Sequence, residues 1–331
     1  MSISEPFLAY RIHRDDARVS GKLETLTIDQ LSSGDTVINV EYSGINYKDA
    51  LAATGAGRIL RRFPLVGGID LAGEVISSRD MRFKPGDRVV ALSGGLGETR
   101  DGGYAERARV DADLLVPIPK DWDTRATMAL GTAGFAAALA IHRLEHCGLR
   151  PAQGPVLVTG ATGGVGSVAI DLLNARGYEV VALTGKIDRV PYLKGIGATE
   201  VLDRNTLEMG SKPLEHARWA GAIDNLGGEI LAWLTRTMRP HGVIASIGLA
   251  ASAELHTTVM PFILRAVSLL GINIEVGHKL RDEVWQRLTT DLRPRHLDAI
   301  AKTEATLAQL PALFGAYLDA QTVGRTVVRI D

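Results

Sequence analysis

The chain has 331 residues, of which 46 % are hydrophobic and 23 % are charged, and its formal net charge at pH 7 is −1. This length predicts two domains, and the composition is typical of a globular enzyme. The near-zero charge provides no long-range field that would attract nucleic acid or an anionic membrane. Cys147 is the only cysteine, which excludes an intramolecular disulfide and a zinc site built on several thiolates.

No segment approaches the run of about 18 uninterrupted apolar residues that a membrane helix requires. Residues 1–6 lack the charged-then-apolar pattern of a secretory signal. We therefore expect a cytoplasmic protein that acts on a small molecule and binds neither nucleic acid nor a membrane.

The first third of the chain alternates short apolar segments with turn residues. Residues 36–40, 73–76 and 87–92 have the pattern of strands, and 85–87 that of a turn. This pattern predicts a β-rich domain, antiparallel or barrel-like, over residues 1–126. The alanine-rich segment 126–146 has helical spacing.

The middle of the chain alternates strands with helices. Strands are expected at 156–159, 179–183, 200–202, 220–224 and 243–247, with a helix at 165–176. Strands separated in this way predict a parallel sheet with right-handed crossovers, here a doubly wound Rossmann domain over 127–294. The β character of residues 323–330 indicates that 295–331 rejoin the first domain. The predicted fold class is therefore α/β.

A glycine-rich turn lies directly between the strand at 156–159 and the helix that follows. Its glycines are Gly160, Gly163, Gly164 and Gly166, a spacing that departs from the strict G-x-G-x-x-G fingerprint. Glycines let a pyrophosphate approach the main chain, and a helix N-terminus offers free N–H groups to the anion. The alternative interpretation is tight helix–strand packing. Because strand, turn and helix coincide, we interpret the turn as a dinucleotide site.

The end of the second strand indicates which dinucleotide binds. An NAD site usually has a carboxylate there, whereas this chain has Thr184, Gly185 and Lys186 and no carboxylate before Asp188. A hydroxyl and an ammonium suit the 2′-phosphate of NADPH, and Arg204 could add a second cation. The alternative is a solvated lysine in a surface turn.

Several segments together carry a family resemblance. They are residues 46–51, 63–73, 131–135, 159–166, 219–224, 257–265 and 324–326. On these segments the chain resembles the zinc-independent quinone oxidoreductase branch of the medium-chain dehydrogenase/reductases, and within it the acrylyl-CoA reductase group. The resemblance implies a GroES-like catalytic domain, a Rossmann domain that binds NADPH, and a homodimer.

The resemblance also implies roles for individual residues. The implied cofactor contacts are Asn46 and Tyr47 with Leu249 and Ile263 at the nicotinamide, Thr162, Gly163, Gly164 and Val165 at the pyrophosphate, and Thr184, Gly185, Lys186 and Arg204 at the adenosine phosphate. Lys186 stands where close relatives are expected to have arginine. The lysine keeps the positive charge but lacks the planar fork of the guanidinium. Zinc-dependent members have cysteine and histidine where this chain has Asn46 and Ile69, so no metal is expected.

Without a metal, hydride delivery to an activated carbon–carbon double bond is the natural reaction. We expect reduction of acrylyl-CoA to propionyl-CoA, with an NADPH:quinone or general enone reductase as the alternative and an NADPH-binding protein without turnover as the third possibility. Tyr47 is the candidate catalytic residue, either as proton donor or only as a wall of the cofactor pocket.

Five other charged residues have open roles. Asp70 is expected to bond backbone amides in the turn after Pro64. Arg325 could hold a substrate phosphate or an interdomain carboxylate, or be structural. Arg58, Arg61 and Arg62 are candidates for contacts with an acyl-CoA, and their alternative is a solvated turn.

Overall fold

The computed structural model describes residues 5–16 and 18–330. It divides into two compact units, unit 1 being Met1–Thr132 with Ala301–Asp331 and unit 2 being Ala133–Ile300. The sequence predicted boundaries at 126/127 and 294/295, whereas the units divide at 132/133 and 300/301. At the first boundary the difference arises because the helix that begins at Thr124 gives its first turns to unit 1.

Strands are numbered in chain order. They are β1 Phe7–Asp15, β2 Arg18–Leu26, β3 Thr36–Ile45, β4 Leu65–Val66, β5 Asp70–Ser78, β6 Arg88–Leu92, β7 Arg107–Val110, β8 Leu115–Pro117, β9 Val156–Thr159, β10 Val180–Thr184, β11 Glu200–Asp203, β12 Trp219–Asp224, β13 Met238–Ser246, β14 Ser268–Gly271, β15 Thr303–Thr306 and β16 Thr326–Arg329.

Helices are numbered in the same way. They are α1 Tyr47–Thr54, α2 Thr124–His146, α3 Gly164–Ala175, α4 Val190–Gly195, α5 Gly228–Thr237, α6 Met260–Leu264, α7 His278–Thr289, α8 Leu297–Ile300 and α9 Leu310–Leu318.

Unit 1 is built on two sheets. One has the order β2-β1-β4, and the other has the order β15-β16-β3-β5-β6-β8 with β7 paired to β3. The pairs are antiparallel except for β15 with β16. Tyr10, Tyr104 and Phe314 pack in the core with ring centroids 6.0 to 6.4 Å apart. The β-rich first domain and the return of the C-terminal segment to it are confirmed.

Unit 2 contains one parallel sheet of order β11-β10-β9-β12-β13-β14. This is the 3-2-1-4-5-6 order of a Rossmann fold, in which the direction of winding reverses between the first and fourth strands. Every residue of β9, β10 and β12 is buried, as expected for strands covered on both faces. The Rossmann prediction is confirmed, and ligands of such folds bind at the carboxyl ends of the strands next to the reversal.

Helix α2 carries the chain from unit 1 into unit 2. In the described part of the chain it is the one helix long and apolar enough to cross a membrane, but 83 % of its most apolar window is buried, which is typical of a core helix. The helix is broken at Gly131, whose φ of 49° and ψ of −154° are not helical. Only glycine adopts such a backbone readily.

Candidate active site

The glycine-rich turn connects β9 to α3 in unit 2. Gly160 has a φ of 56°, and the Gly163 N–H donates to its carbonyl at 2.9 Å. A Cβ on Gly166 would stand 2.4 Å from the Gly160 oxygen and 2.8 Å from the Cα of Ala161. Gly166 is therefore required for the first turn of α3 to lie against the turn.

The first turn of α3 can accept an anion. Its N-cap is Gly163, which has no side chain with which to bond the N–H groups that follow. Unbonded N–H groups and the positive end of the helix dipole both favour a negatively charged group. Thr162, Gly163, Gly164 and Val165 thus line a candidate anion site, and their contact with a pyrophosphate stays a prediction.

Two residues that the sequence reasoning missed hold this turn in place. The Thr159 hydroxyl donates to Asp224 Oδ1 at 2.7 Å, and Asn225 Nδ2 donates to the Thr159 carbonyl at 2.7 Å. These bonds join the carboxyl ends of β9 and β12, where the strand order reverses. Burial raises the pKa of Asp224, while the Thr159 hydroxyl and the N–H groups of Gly227 and Leu226 favour the carboxylate.

The residues predicted for the adenosine phosphate lie together at the end of β10. The Lys186 N–H donates to the buried Thr184 hydroxyl oxygen at 3.0 Å. A Cβ on Gly185 would stand 3.2 Å from an Arg204 guanidinium nitrogen, so the absence of a side chain lets Arg204 approach the strand end. Burial, followed by the charge of Arg189, lowers the pKa of Lys186.

Both groups of residues lie at the same edge of the sheet, because β9 and β10 are parallel neighbours with Thr159 opposite Leu183. Leu249 follows β13, which belongs to the same sheet, and Ile263 lies in α6. Both side chains are exposed large hydrophobics. Their contact with the nicotinamide stays a prediction, as do the other cofactor contacts.

Asn46 and Tyr47 lie in unit 1 at the start of α1. Asn46 is the N-cap, and the Asp49 carboxylate accepts from its N–H at 2.8 Å. Its side-chain nitrogen donates to Asp49 at 3.1 Å and to Asp70 at 2.9 Å, so the Asn46 amide donors are both used within unit 1. Tyr47 is the first helical residue, and 42 % of its surface is exposed. The phenol is therefore accessible, whereas Asn46 is part of the scaffold that carries it.

Asp70 and Arg325 are both structural in unit 1, but the partners of Asp70 differ from the expected ones. Asp70 does bond backbone amides, but they belong to Gly44 and Thr132 and not to the turn after Pro64. Arg325 is buried, and its nearest carboxylate oxygen, at 3.8 Å, belongs to Asp70 of the same unit. Arg325 is thus structural, and its burial leaves no access for a substrate phosphate.

Asn46 and Ile69, which stand where zinc-dependent members are expected to have cysteine and histidine, have other contacts in this chain. Ile69 is a buried apolar residue, and Asn46 bonds two carboxylates and Arg325. Among the residues that the structure describes, no three histidine, cysteine, aspartate or glutamate side chains are grouped so that they could hold a metal ion.

The Arg62 side chain is engaged, whereas Arg58 and Arg61 are exposed residues of the same loop. Arg62 contacts the Ser32 hydroxyl and lies 3.3 Å from Asp101. The Arg61 N–H donates to the carbonyl of Glu98, whose carboxylate pairs with Lys48 beside Tyr47. The loop is therefore anchored next to the start of α1.

Comparisons with known proteins agree with this architecture. The Alcohol dehydrogenase GroES-like domain family matches residues 32–120, and the Zinc-binding dehydrogenase family matches residues 164–290. The chain is 44 % identical to the "Putative quinone oxidoreductase YhfP" of Bacillus subtilis, over 99 % of this chain and 100 % of that one. It is also 44 % identical to the acrylyl-CoA reductase AcuI of Ruegeria pomeroyi, over 98 % of this chain and 99 % of that one.

Solved structures of similar proteins have the same fold. The yhdH oxidoreductase of Salmonella enterica, in complex with NADP, superimposes with a TM-score of 0.95 at 44 % identity, over 98 % of this chain and all of the other. Bacillus subtilis yhfP, with NAD bound, also gives a TM-score of 0.95 at 44 % identity with the same coverage.

Proposed function

The chain belongs to the zinc-independent quinone oxidoreductase branch of the medium-chain dehydrogenase/reductase family, and on that premise we propose that it reduces acrylyl-CoA to propionyl-CoA with NADPH. It is an oxidoreductase. The observation that carries the substrate proposal is the 44 % identity, over 98 % of the chain, to an acrylyl-CoA reductase. The equal identity to a protein named as a quinone oxidoreductase supports the second candidate, an NADPH:quinone or enone reductase.

NADPH is supported as the cofactor by the charges at the end of β10. Thr184, Lys186 and Arg204 offer a hydroxyl and two cations there, and Asp188 is engaged by Arg189 at 2.9 Å. A 2′-phosphate would form charge-assisted bonds with these groups, whereas the ribose hydroxyl of NADH would gain much less from them. The candidate anion site before α3 would hold the pyrophosphate.

NADPH, when bound, supplies a hydride to the β-carbon of the acrylyl group. The thioester carbonyl takes up the negative charge, and a proton must then reach the α-carbon. Tyr47 is the residue of this chain that we assign to that proton. Its hydroxyl is a donor with an accessible side chain, and its position is fixed by the N-cap of α1.

An acyl-CoA substrate also requires cations for its phosphates. Arg58 and Arg61 are exposed, and their loop is anchored to Glu98 next to Lys48, the residue after Tyr47. A quinone has no phosphate, so these arginines would matter only for the thioester. This difference separates the two candidate functions.

The test is the rate of NADPH oxidation with acrylyl-CoA, a naphthoquinone and a simple enone. Fast turnover of acrylyl-CoA is expected, with deuterium from labelled NADPH at the methyl carbon of propionyl-CoA and deuterium from heavy water beside the thioester. Quinone reduction without acrylyl-CoA turnover would favour the second candidate. Binding of NADPH with no turnover of any acceptor would indicate a binding protein.

A further inference from the structure

Three ionisable side chains are buried together in unit 1. Asp49 and Asp70 are 2 % and 0 % exposed, and Arg325 is 3 % exposed. Buried charges are rare, and they cost stability unless each one is paired and hydrogen-bonded. The arrangement of their bonds therefore shows what they hold in place.

Asn46 is the centre of this network. Asp49 Oδ2 accepts from the Asn46 N–H and from its side-chain nitrogen, while Asp49 Oδ1 accepts from the Ile69 N–H at 2.9 Å. Asp70 Oδ2 accepts from the same Asn46 nitrogen at 2.9 Å. Arg325 donates to Asn46 Oδ1 at 2.8 Å and to the Ile45 carbonyl at 3.1 Å. Every polar atom of the Asn46 side chain is thus fixed by a charged group.

The network is enclosed by main chain. A Cβ on Gly44 would stand 2.7 Å from the Arg325 guanidinium, and a Cβ on Gly131 would stand 2.6 Å from it. Asp70 also accepts from the Thr132 N–H at 3.1 Å, just after the break in α2. Because both sides are closed, Asp70 and Arg325 have little freedom to move, and neither does Asn46.

We propose that Asp49 and Asp70 are positioning residues for the reduction, acting through Asn46 to fix the first turn of α1 and with it the Tyr47 phenol. The inference rests on the proposed role of Tyr47 as proton donor. Asp49 and Asn46 form the capping box of α1, but a capping box requires neither a second buried carboxylate nor a guanidinium, which Asp70 and Arg325 add here. Burying two carboxylates and a guanidinium stabilises little or nothing compared with apolar packing, so accuracy of position is the better explanation.

The network also makes the position of the Tyr47 phenol depend on pH. Burial, followed by the charge of Asp70, raises the pKa of Asp49 to about 7, against the opposing effect of the N–H groups of Asn46 and Ile69. The charge of Asp49 also acts on Tyr104 and Tyr317, and Arg325 bonds the same Asn46 side chain. All three hydrogen bonds to Asp49 come from N–H donors. The ionised carboxylate accepts such bonds more strongly than the protonated acid does. Turnover should therefore fall as the pH drops below about 7.

The test is a double-mutant cycle on the purified full-length enzyme, with the acceptor that it turns over fastest. Tyr47→Phe should lower kcat by about 10²–10⁴-fold if the phenol gives the proton. Asp49→Asn should lower kcat on the order of 10²-fold, because a displaced catalytic group loses rate steeply, with the Kd of NADPH unchanged. In the double variant, Asp49→Asn should cost almost nothing further.

Asp101→Asn is the matched control. Asp101 is also a buried carboxylate of unit 1 that accepts from backbone N–H groups, those of Ser32 and Val66, but it has no bond to Asn46. Its substitution should lower the Tm and leave kcat unchanged. If Asp49→Asn instead lowers kcat by the same factor with and without Tyr47, the two residues act independently and the proposal is overturned.

Two further outcomes complete the test. If Tyr47→Phe turns over as fast as the wild type, both the positioning proposal and the role of Tyr47 as proton donor are refuted. Reduction of acrylyl-CoA by the wild type would still support the proposed reaction. If Asp49→Asn does not fold, the pH profiles of the wild type and Tyr47→Phe decide. A fall in kcat below about pH 7 that is present in the wild type and lost in Tyr47→Phe supports the proposal. Absence of that fall in the wild type contradicts it.

Discussion

Replacing Gly166 by alanine tests whether the turn after β9 holds the cofactor. The new Cβ would stand 2.4 Å from the Gly160 oxygen, 2.8 Å from the Cα of Ala161 and 3.0 Å from its carbonyl carbon. All three atoms belong to the main chain, so no side chain can rotate away. Gly166 has no left-handed φ, so the effect of alanine is steric and not torsional.

The magnitude follows from the displacement that the overlap requires. Relieving it moves the start of α3 away from the turn by a distance on the order of 1 Å, and overpacking of this kind costs about 1–3 kcal/mol. The better helix propensity of alanine returns up to about 1 kcal/mol, so the protein should stay folded. Loss of one bond from a helix N–H to the charged pyrophosphate costs about 1.5–3 kcal/mol, which is roughly a tenfold to a hundredfold rise in the Kd of NADPH.

The assay is a fluorescence titration with NADPH, together with thermal unfolding of each variant. Gly195→Ala is the matched control, because Gly195 is an exposed residue at the end of α4 with no atom within 4 Å of its Cβ position. It should bind NADPH as the wild type does. A folded Gly166→Ala variant with unchanged affinity for NADPH would refute the assignment of the pyrophosphate to this turn.

Three other predictions concern the cofactor, the substrate and the metal. Lys186→Ala should raise the Kd of NADPH by roughly tenfold to a hundredfold and hardly change that of NADH, and equal weakening of both would show that Lys186 does not contact the 2′-phosphate. Changing Arg58 and Arg61 together to alanine should raise the KM for acrylyl-CoA but not for a simple enone; a parallel rise for both would argue against a phosphate contact. Elemental analysis should find no stoichiometric zinc, and one zinc per chain would overturn the metal-free mechanism.

Local patterns were sufficient to predict most of the sheet in unit 2. The segment 156–159 is β9 as observed, and the strand expected at 179–183 is shifted by one residue from β10. The strands expected at 200–202 and 220–224 are each one residue shorter than β11 and β12. Continuous apolar runs of this length are a strong signal when turns bound them. The parallel sheet with right-handed crossovers was predicted from the alternation with helices and not from any single motif, whereas its strand order is known only from the structure.

The elements that were missed have weaker patterns. The hairpin of β1 and β2 carries many charged residues, and only Leu26 of β2 is buried, so alternation is hard to recognise. Strand β14 has four residues at the edge of its sheet, where none is fully buried. Short or exposed strands are stabilised by their pairing partners, which a local window does not contain.

The residues of the candidate site could be predicted where they are neighbours in the sequence, and not where they meet only in the fold. The glycine turn and the set at Thr184 and Lys186 are each continuous in sequence, and their chemistry follows from residue type. The Asp70–Arg325 pair joins residues 255 positions apart, at 3.8 Å. A sequence shows that both charges exist, but it does not show that both are buried or that they face each other.

The buried charges explain why Asp49 could not be assigned from sequence and why it matters. Two carboxylates and one guanidinium are buried in this network, so full ionisation leaves one negative charge to be satisfied by N–H donors. Asp70 is the carboxylate nearer Arg325, and Asp49 depends on the N–H groups of Asn46 and Ile69. The excess charge therefore falls on Asp49, whose pKa is the one that rises to about 7. Since those same N–H groups set the start of α1, the protonation state of a buried residue is coupled to the position of an exposed one, Tyr47.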